Sequence, residues 1–575
     1  MGTDVSALWG VSFQQGPQAP DSAQDFSATR TRHTALMTAS PTTQLGTFPG
    51  AAPRHGRTKR FVAGAGIGYA YQAVVMVAGL WFTPFLLRHL GQHDYGLWAL
   101  GTQILGYLLL LDMGVMALLP RETGNATGLA QGRPEAAQLS LLTARVVRIV
   151  MIQWPILAIA ATLTWFILPA AWIALRAPLA VMLVVFVALF PFQILQGILN
   201  GLQDLSFLGF TRMLSWTITT VVSLTLVFRG FGLYSLAIGW GLGEVVSIVC
   251  LAWRTRARFP YVLPNKIFSA TWQESRSYLG RSLWVTVSRV ASILLNGSDV
   301  LIIGSVLGPL AVVPYVCTGK LISVLSNQPQ MLMDLALPGM SEMRYSESRE
   351  RIQQASLALS QIMLLFSGAL VCGVLVLNRS FVSWWVGAGQ YGGFKLTILI
   401  MALVLLRHWS RTLINTIFCF GYERWISLVS LLDGCVTVAS AMVLVHFLGP
   451  IGAPVGGIIG VCAVSLPANL WALSKELNTS PGRLLMPIRG WALRLILLVL
   501  VAALLQRSFS WHSFPLMALI GAGSVLVYLA IMLPVMLSPP CSVYLKPFFQ
   551  NMRLRLGRTF KAGKNVVRAT TAGPE

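Results

Sequence analysis

Two stretches of this chain place polar side chains at regular intervals within otherwise apolar sequence. In the first, Arg289, Ser292, Asn296 and Asp299 recur at spacings of 3, 4 and 3 residues. In the second, Lys320, Ser323, Asn327, Gln330 and Asp334 recur at 3, 4, 3 and 4. Residues three and four apart share one face of a helix, so each stretch reads as an apolar helix with a single polar stripe. Gln193, Gln196 and Asn200 form a milder stripe, and Arg407, Arg411 and Asn415 follow one face of another helix. An earlier span offers Gly64, Gly68, Gln72, Gly79 and Thr83, and no acid. Ionisable side chains within a bilayer are costly, and they face a bundle interior or a water-filled cavity rather than lipid. At the helical rise, Lys320 and Arg407 lie about 15 and 16 Å into their spans, near mid-membrane, and Arg289 about 10 Å from the end of its own.

Cations in such positions suit an anionic ligand. A diphosphate offers several acceptor oxygens to Arg and Lys in charge-assisted hydrogen bonds. The candidate cavity residues for binding are Lys320, Arg289, Arg407, Arg411, Asn327, Asn296 and Gln72. The acids Asp299, Asp334, Asp112, Glu244 and Asp433 are candidates for coupling to an ion gradient. A second reading stands beside this one: Lys320 neutralises Asp299, and Arg407 neutralises Asp433, as buried pairs that hold helices together. Arg121, Arg145 and Arg148 read as anchors at helix ends, or as guides for lipid headgroups at the mouth of a cavity. The glycines of the early span read as sites of close helix packing.

Other chemistries find no support. His408 and His446 are lone histidines in apolar runs and read as core. The seven cysteines are scattered without CxxC or Cys/His spacing, so neither a disulfide framework nor a metal site is expected. There is no phosphate-binding Gly-Lys-Ser/Thr loop, so ATP is not the direct energy source. No catalytic residue and no cofactor is indicated.

The elements that must hold these residues are membrane helices. Of 575 residues, 55% are hydrophobic and only 11% charged, against about 25% charged in soluble domains. About fourteen spans are expected, at 61–87, 95–118, 141–168, 178–199, 207–228, 232–252, 282–305, 310–335, 352–376, 396–417, 425–447, 451–473, 490–506 and 514–537. The net charge of +23 would suggest nucleic acid in a soluble protein. Here the Lys and Arg gather on alternate loops and in the tail, as the positive-inside rule requires. That pattern excludes a nucleic-acid partner, makes anionic membrane lipid the expected one, and places both termini in the cytoplasm. Residues 1–60 lack apolar runs and read as a disordered cytoplasmic tail, with Met37 as a second candidate start.

The stretch Leu90–Arg121 reads LG-x3-YGLW, then LLLLDMG, then Arg. It resembles the second transmembrane helix of bacterial polysaccharide transporters, the O-antigen-flippase-like branch of the multidrug/oligosaccharidyl-lipid/polysaccharide exporter superfamily. Internal similarity supports this. Leu90-Gly91 resembles Leu307-Gly308 and Leu119-Pro120 resembles Leu337-Pro338; Gly201 and Gly232 resemble Gly421 and Gly452. The offsets are all close to 220 residues. Six spans per copy give two lobes of the same orientation, related by an axis along the membrane normal. The expected organisation is an all-α polytopic membrane protein. Its parts are a tail (1–60), a six-helix lobe (61–252), a cytoplasmic linker (253–281), a second six-helix lobe (282–475), two extra helices (476–540) and a basic cytoplasmic tail (541–575).

The resemblance implies a non-enzymatic exporter of the bacterial inner membrane. It would flip undecaprenyl-diphosphate-linked oligosaccharide by alternating access, driven by an ion gradient. Its partners would be polysaccharide polymerase and glycosyltransferases. Two alternatives remain. Multidrug extrusion would call for a cation-binding acid in span 1, where this chain has none. A glycosyltransferase or polymerase would need catalytic groups in a sizeable outer loop, and the longest, about Asn378–Lys395, contains no acid and no His. A purely structural scaffold would leave the polar stripes unexplained.

Overall fold

The computed structural model describes residues 54–129, 135–202, 204–264, 271–346, 348–508, 511 and 513–542. The expected N-terminal tail up to 53 and most of the basic C-terminal tail lie outside them, as do the side chains of Gln72 and Asp334. Every regular element among the described residues is helical.

Helix α1 (Arg54–Leu108) carries the first expected span and most of the second. It is broken at Gly91, whose φ of 84° and ψ of 169° lie in a region open almost only to glycine. The polar turn Gly91–Asp94 is therefore compressed into one residue. After α1 a 3-10 turn, Leu109–Asp112, ends on Met113 (φ 48°) and Gly114 (φ 67°) before α2 (Val115–Leu129) sets off at 57°. The expected straight span 95–118 is thus a bent one. Asp112 accounts for the bend: its Oδ1 accepts the Gly114 N–H at 2.8 Å, a local bond that competes with helix continuation.

The chain continues through α3 (Glu135–Ile167), α4 (Ile173–Leu189), α5 (Gln193–Gly201), α6 (Leu205–Phe228) and α7 (Tyr234–Arg258). The expected single span 282–305 is two helices, α8 (Trp272–Asn296) and α9 (Ser298–Leu307), bent by 49° at Gly297. The polar stripe that joined Asp299 to Arg289 and Asn296 is therefore interrupted. Helices α10 (Pro309–Ser346), α11 (Arg349–Trp385), α12 (Phe394–Cys419) and α13 (Glu423–Leu448) follow. Next come α14 (Gly452–Gly460), a π-helical turn (Val461–Ser465) and α15 (Leu466–Glu476), then α16 (Pro481–Ser508) and α17 (Phe514–Met536).

Among the described residues, ten helices are long and apolar enough to cross a membrane, or up to twelve if each bent pair is one span. The difference from fourteen lies where helices meet through a single residue. Span 1 joins span 2 at Gly91, and Glu423–Glu476 counts as one run although Gly449 (φ 64°) turns the chain within it. Gly308 adopts φ 87° and ψ 168°, the same conformation as Gly91. Gly232 (φ 55°) and Gly452 (φ −60°) differ, and so do helical Gly201 and Gly421 (φ 85°).

The largest buried cluster packs α1 against α3 and α4 through Leu97, Leu100, Val146, Leu157, Leu175 and Met182. A second packs α16 and α17 on α11, where the Trp491 indole donates to the Tyr528 hydroxyl at 2.9 Å. Phe166, Ile167, Phe228, Phe447, Leu493 and Leu519 are exposed. An outer surface of this kind belongs against hydrocarbon, where helices satisfy their own backbone groups.

Candidate functional site

Where charged residues stand in these helices depends on how the first half of the chain meets the second. The part of α1 beyond Gly91, together with α2, runs alongside α8 and α9 in the opposite direction. At one end the Gln92 amide donates to the Leu310 carbonyl at 3.0 Å, and Gln390 donates to Gln92 at 3.2 Å. Further along, Leu100 packs on Gly304 and Gln103 donates to the Gly297 carbonyl at 2.7 Å. Beyond these comes Asp112 with Arg289, and last the Tyr278 hydroxyl, which donates to the Val115 carbonyl at 3.1 Å. The contacts form one continuous seam. The bend at Met113–Gly114 makes its last part possible: a Cβ on Gly114 would lie 2.7 Å from the Ser282 carbonyl oxygen.

Asp112 and Arg289, expected in separate roles, meet each other in this seam. Arg289 Nη1 donates to Asp112 Oδ2 at 3.2 Å. The carboxylate is 1% exposed and the Arg289 side chain 43%. Asp112 also offers its backbone carbonyl to the Gln153 amide at 3.1 Å. The pair therefore joins two halves of the chain, with its acid dry and its base partly wet.

Arg407 is held within the second half. It donates to Asp433 Oδ2 at 3.0 Å and to the Thr437 hydroxyl at 3.3 Å. Asp433 is fully buried, and it accepts from Thr437 and from Ser465 of the π-helical turn as well. This is the pairing weighed above as the structural alternative. Arg411 is exposed, while Asn415 on the same face is buried.

The other pairing weighed above is absent. Asp299 accepts instead from the Tyr315 hydroxyl at 2.6 Å. Among the described residues Lys320 makes no hydrogen bond and no ion pair. It is half-buried on α10, and a Cβ on Gly79 would lie 4.0 Å from its Nζ. Just beyond, the Trp385 indole donates to the Leu80 carbonyl, and Leu86, Tyr95, Val313, Cys317 and Trp385 close into an apolar cluster. Lys320 thus stands where α1 of the first half faces α10 of the second, at the inner edge of that apolar contact.

Asn327 and Asn296 are exposed, and among the described residues Asn296 bonds only within its own helix, to Ser292. Glu244 is half-buried on α7, and among the described residues it has neither hydrogen bond nor ion pair. No group of three or more His, Cys, Asp or Glu positioned for a metal ion occurs among the described residues. Gln92, Gln103, Gln153 and Tyr278 were missed by sequence reasoning, because each acts on a backbone group far away in the chain. Only the Asp-Met-Gly sequence at the bend carried a local signal, a glycine positioned for positive φ.

No curated protein matches this sequence. Among solved structures, the fold is similar to a lipid II flippase MurJ in an inward closed conformation, with a TM-score of 0.61 at 15% identity. That match covers 83% of this chain and 100% of the other. A multidrug resistance MATE family transporter of the MOP superfamily, inward-facing, aligns with a TM-score of 0.49 at 15% identity, over 71% of this chain and 99% of its own. In sequence, the profile of the family described as polysaccharide biosynthesis protein matches residues 85–391, more than half of the chain and all of the seam between its halves. This chain is a member of that polysaccharide biosynthesis protein family, built on a polytopic all-α membrane fold.

Proposed function

We propose that this protein flips lipid-linked oligosaccharide across the bacterial inner membrane for surface-polysaccharide assembly. Lys320 carries the reading. It is a mid-span cation without a hydrogen-bond or ion-pair partner among the described residues, at the place where the two halves of the chain face each other. An ammonium held there is the group that the diphosphate of a polyprenyl-diphosphate-linked glycan would engage. Membership of a polysaccharide biosynthesis family and similarity in fold to a flippase point the same way. The cargo headgroup crosses between two six-helix lobes, 61–252 and 282–475, by alternating access, while its lipid tail stays in the bilayer. Both termini lie in the cytoplasm. The protein transports and does not catalyse; polymerase and glycosyltransferases are the partners that consume and supply its cargo. Export of cationic drugs would call for a cation-binding acid in the first span, 61–87, where this sequence has none.

Coupling to an ion gradient falls to Glu244. Of the candidate acids whose side chains are described, Asp112 and Asp433 are engaged by arginines and Asp299 by Tyr315, which leaves Glu244 with its carboxylate unengaged among the described residues; the side chain of Asp334, the fifth candidate, lies outside them.

The test is Lys320→Ala in cells. Surface polysaccharide should disappear while protein level in the membrane is unchanged. Lys320→Arg should retain part of the export, since charge persists in a different geometry. The variant Lys320→Ala/Asp299→Asn should stay inactive. Recovery of export in that double variant would mean that Lys320 serves only to balance Asp299.

A further inference from the structure

Helices α8 and α13 run side by side in the same direction. Ser288 and Ser427 share a hydrogen bond at 2.7 Å, and Gly434 admits Leu294. Beside that contact the two helices leave a groove of about 460 Å³ lined by Gly280, Leu283, Trp284, Val287, Val290 and Leu431. Thr286 adds a polar side chain to this lining. The size is that of ligand sites, which run from about 300 to 1,000 Å³. Leu283, Trp284 and Gly280 are exposed, so the groove opens to the surroundings of the protein.

Charge is distributed unevenly along it. The Arg424 guanidinium sits 5.4 Å from the Trp284 ring centroid at the first turn of α13. Arg276 is exposed on α8, one turn before Gly280 and on the same face. From Arg424 to Leu431 the groove rises roughly 10 Å at the helical pitch. The groove is thus cationic at the helix starts and apolar beyond, the profile of an amphiphile with an anionic head. A tryptophan at the boundary marks the depth of the bilayer interface. Among the described side chains, Glu423 adds an opposing charge at the surface, on a neighbouring face of α13. Basic surfaces between helices on the cytoplasmic side take anionic headgroups, and the anionic lipids of that leaflet supply them.

We infer that the α8/α13 groove is a binding site for an anionic phospholipid of the cytoplasmic leaflet, its phosphate at Arg276 and Arg424 and one acyl chain along Gly280, Trp284 and Leu431. The choice of leaflet rests on the topology proposed above, which cysteine labelling reads separately; binding itself is measured without transport.

The experiment titrates the detergent-solubilised full chain with phosphatidylglycerol or phosphatidylcholine of identical chains, and reads the first bound lipid by native mass spectrometry. Phosphatidylglycerol should bind more tightly. Arg276→Gln/Arg424→Gln should lower its affinity about 30-fold, from two surface cations, and leave phosphatidylcholine unchanged. A Cβ at Gly280 would meet nothing within 4 Å. Gly280→Leu should therefore fill the groove without disturbing the fold and weaken both lipids. Wild-type binding of phosphatidylglycerol by the double arginine variant, which replaces exposed residues only, would overturn the inference whatever Gly280→Leu does. Displacement of phosphatidylglycerol by a polyprenyl diphosphate from the wild type but not from Gly280→Leu would also overturn it, by giving the groove to the cargo.

Discussion

The pair of Asp112 with Arg289 makes an asymmetric prediction. Removing one partner from a buried ion pair costs about 3–5 kcal/mol, chiefly because the remaining charge is left dry. Here the two partners differ in exposure, 1% for Asp112 and 43% for Arg289. In Arg289→Ala the buried carboxylate loses its cation but keeps the Gly114 N–H, and water enters the space of the lost side chain. Discounted for that screening, the cost is about 2 kcal/mol. In Asp112→Asn the amide oxygen still accepts from Gly114, and Arg289 is already half in water. That cost is about 1 kcal/mol or less. The double variant Asp112→Asn/Arg289→Ala should lie near Asp112→Asn alone, since no buried charge remains. Buried thiols can report unfolding: Cys317, Cys372, Cys419 and Cys541 are buried, while Cys250, Cys435 and Cys462 are more accessible and would first be changed to Ser. The temperature at which a thiol-reactive fluorophore labels the solubilised chain should fall by a few degrees for Arg289→Ala and by less for the other two. Equal losses for both single variants, summing in the double, would refute the reasoning.

Three further outcomes follow from the same structure. Gly96→Ala should destabilise the protein by about 1–3 kcal/mol and impair export, because the new Cβ meets the Pro309 carbonyl across the seam; Gly106→Ala, whose Cβ meets nothing within 4 Å, should do neither. Gly91→Ala and Gly308→Ala should each cost about 1–3 kcal/mol through backbone strain alone, read by the same labelling melt, since a Cβ at either site meets nothing and both φ angles are positive. For topology, single cysteines at Gln92 and Gln390, which bond each other, should react with an impermeant thiol reagent outside intact cells; one at Gln273 should not, and its labelling would reverse the proposed orientation.

Helical periodicity identified which residues share a helix face but not which of them meet. The 3–4 spacing singled out Arg289, Lys320 and Arg407 on their helices. The partner of Arg289 is 177 residues away, and nothing in either helix alone announces it. Arg407 and Asp433 were within reach of sequence reasoning because both lie in spans of the same half, and that pairing was one of two left open. Lys320 and Asp299 looked equally suited by spacing, yet Tyr315, which the polar stripes did not include, holds Asp299. Hydropathy is blind to backbone breaks. Span 282–305 reads as one run by length and hydropathy despite its polar stripe, and at its bend Gly297 is closely approached by Gln103 from the other half. At Gly91 the signal was local, because a glycine in a polar turn is what a positive φ requires.

Flipping of a lipid-linked glycan is the claim that matters most, and reconstitution measures it directly. Purified wild-type protein in liposomes should move a fluorescent polyprenyl-diphosphate-linked oligosaccharide from one leaflet to the other, read as loss of protection from a membrane-impermeant quencher. Lys320→Ala, reconstituted in equal amount and with an unchanged labelling melt, should leave the glycan where it started. Flipping by Lys320→Ala at the wild-type rate, or none by the wild type under an imposed ion gradient, would contradict the account.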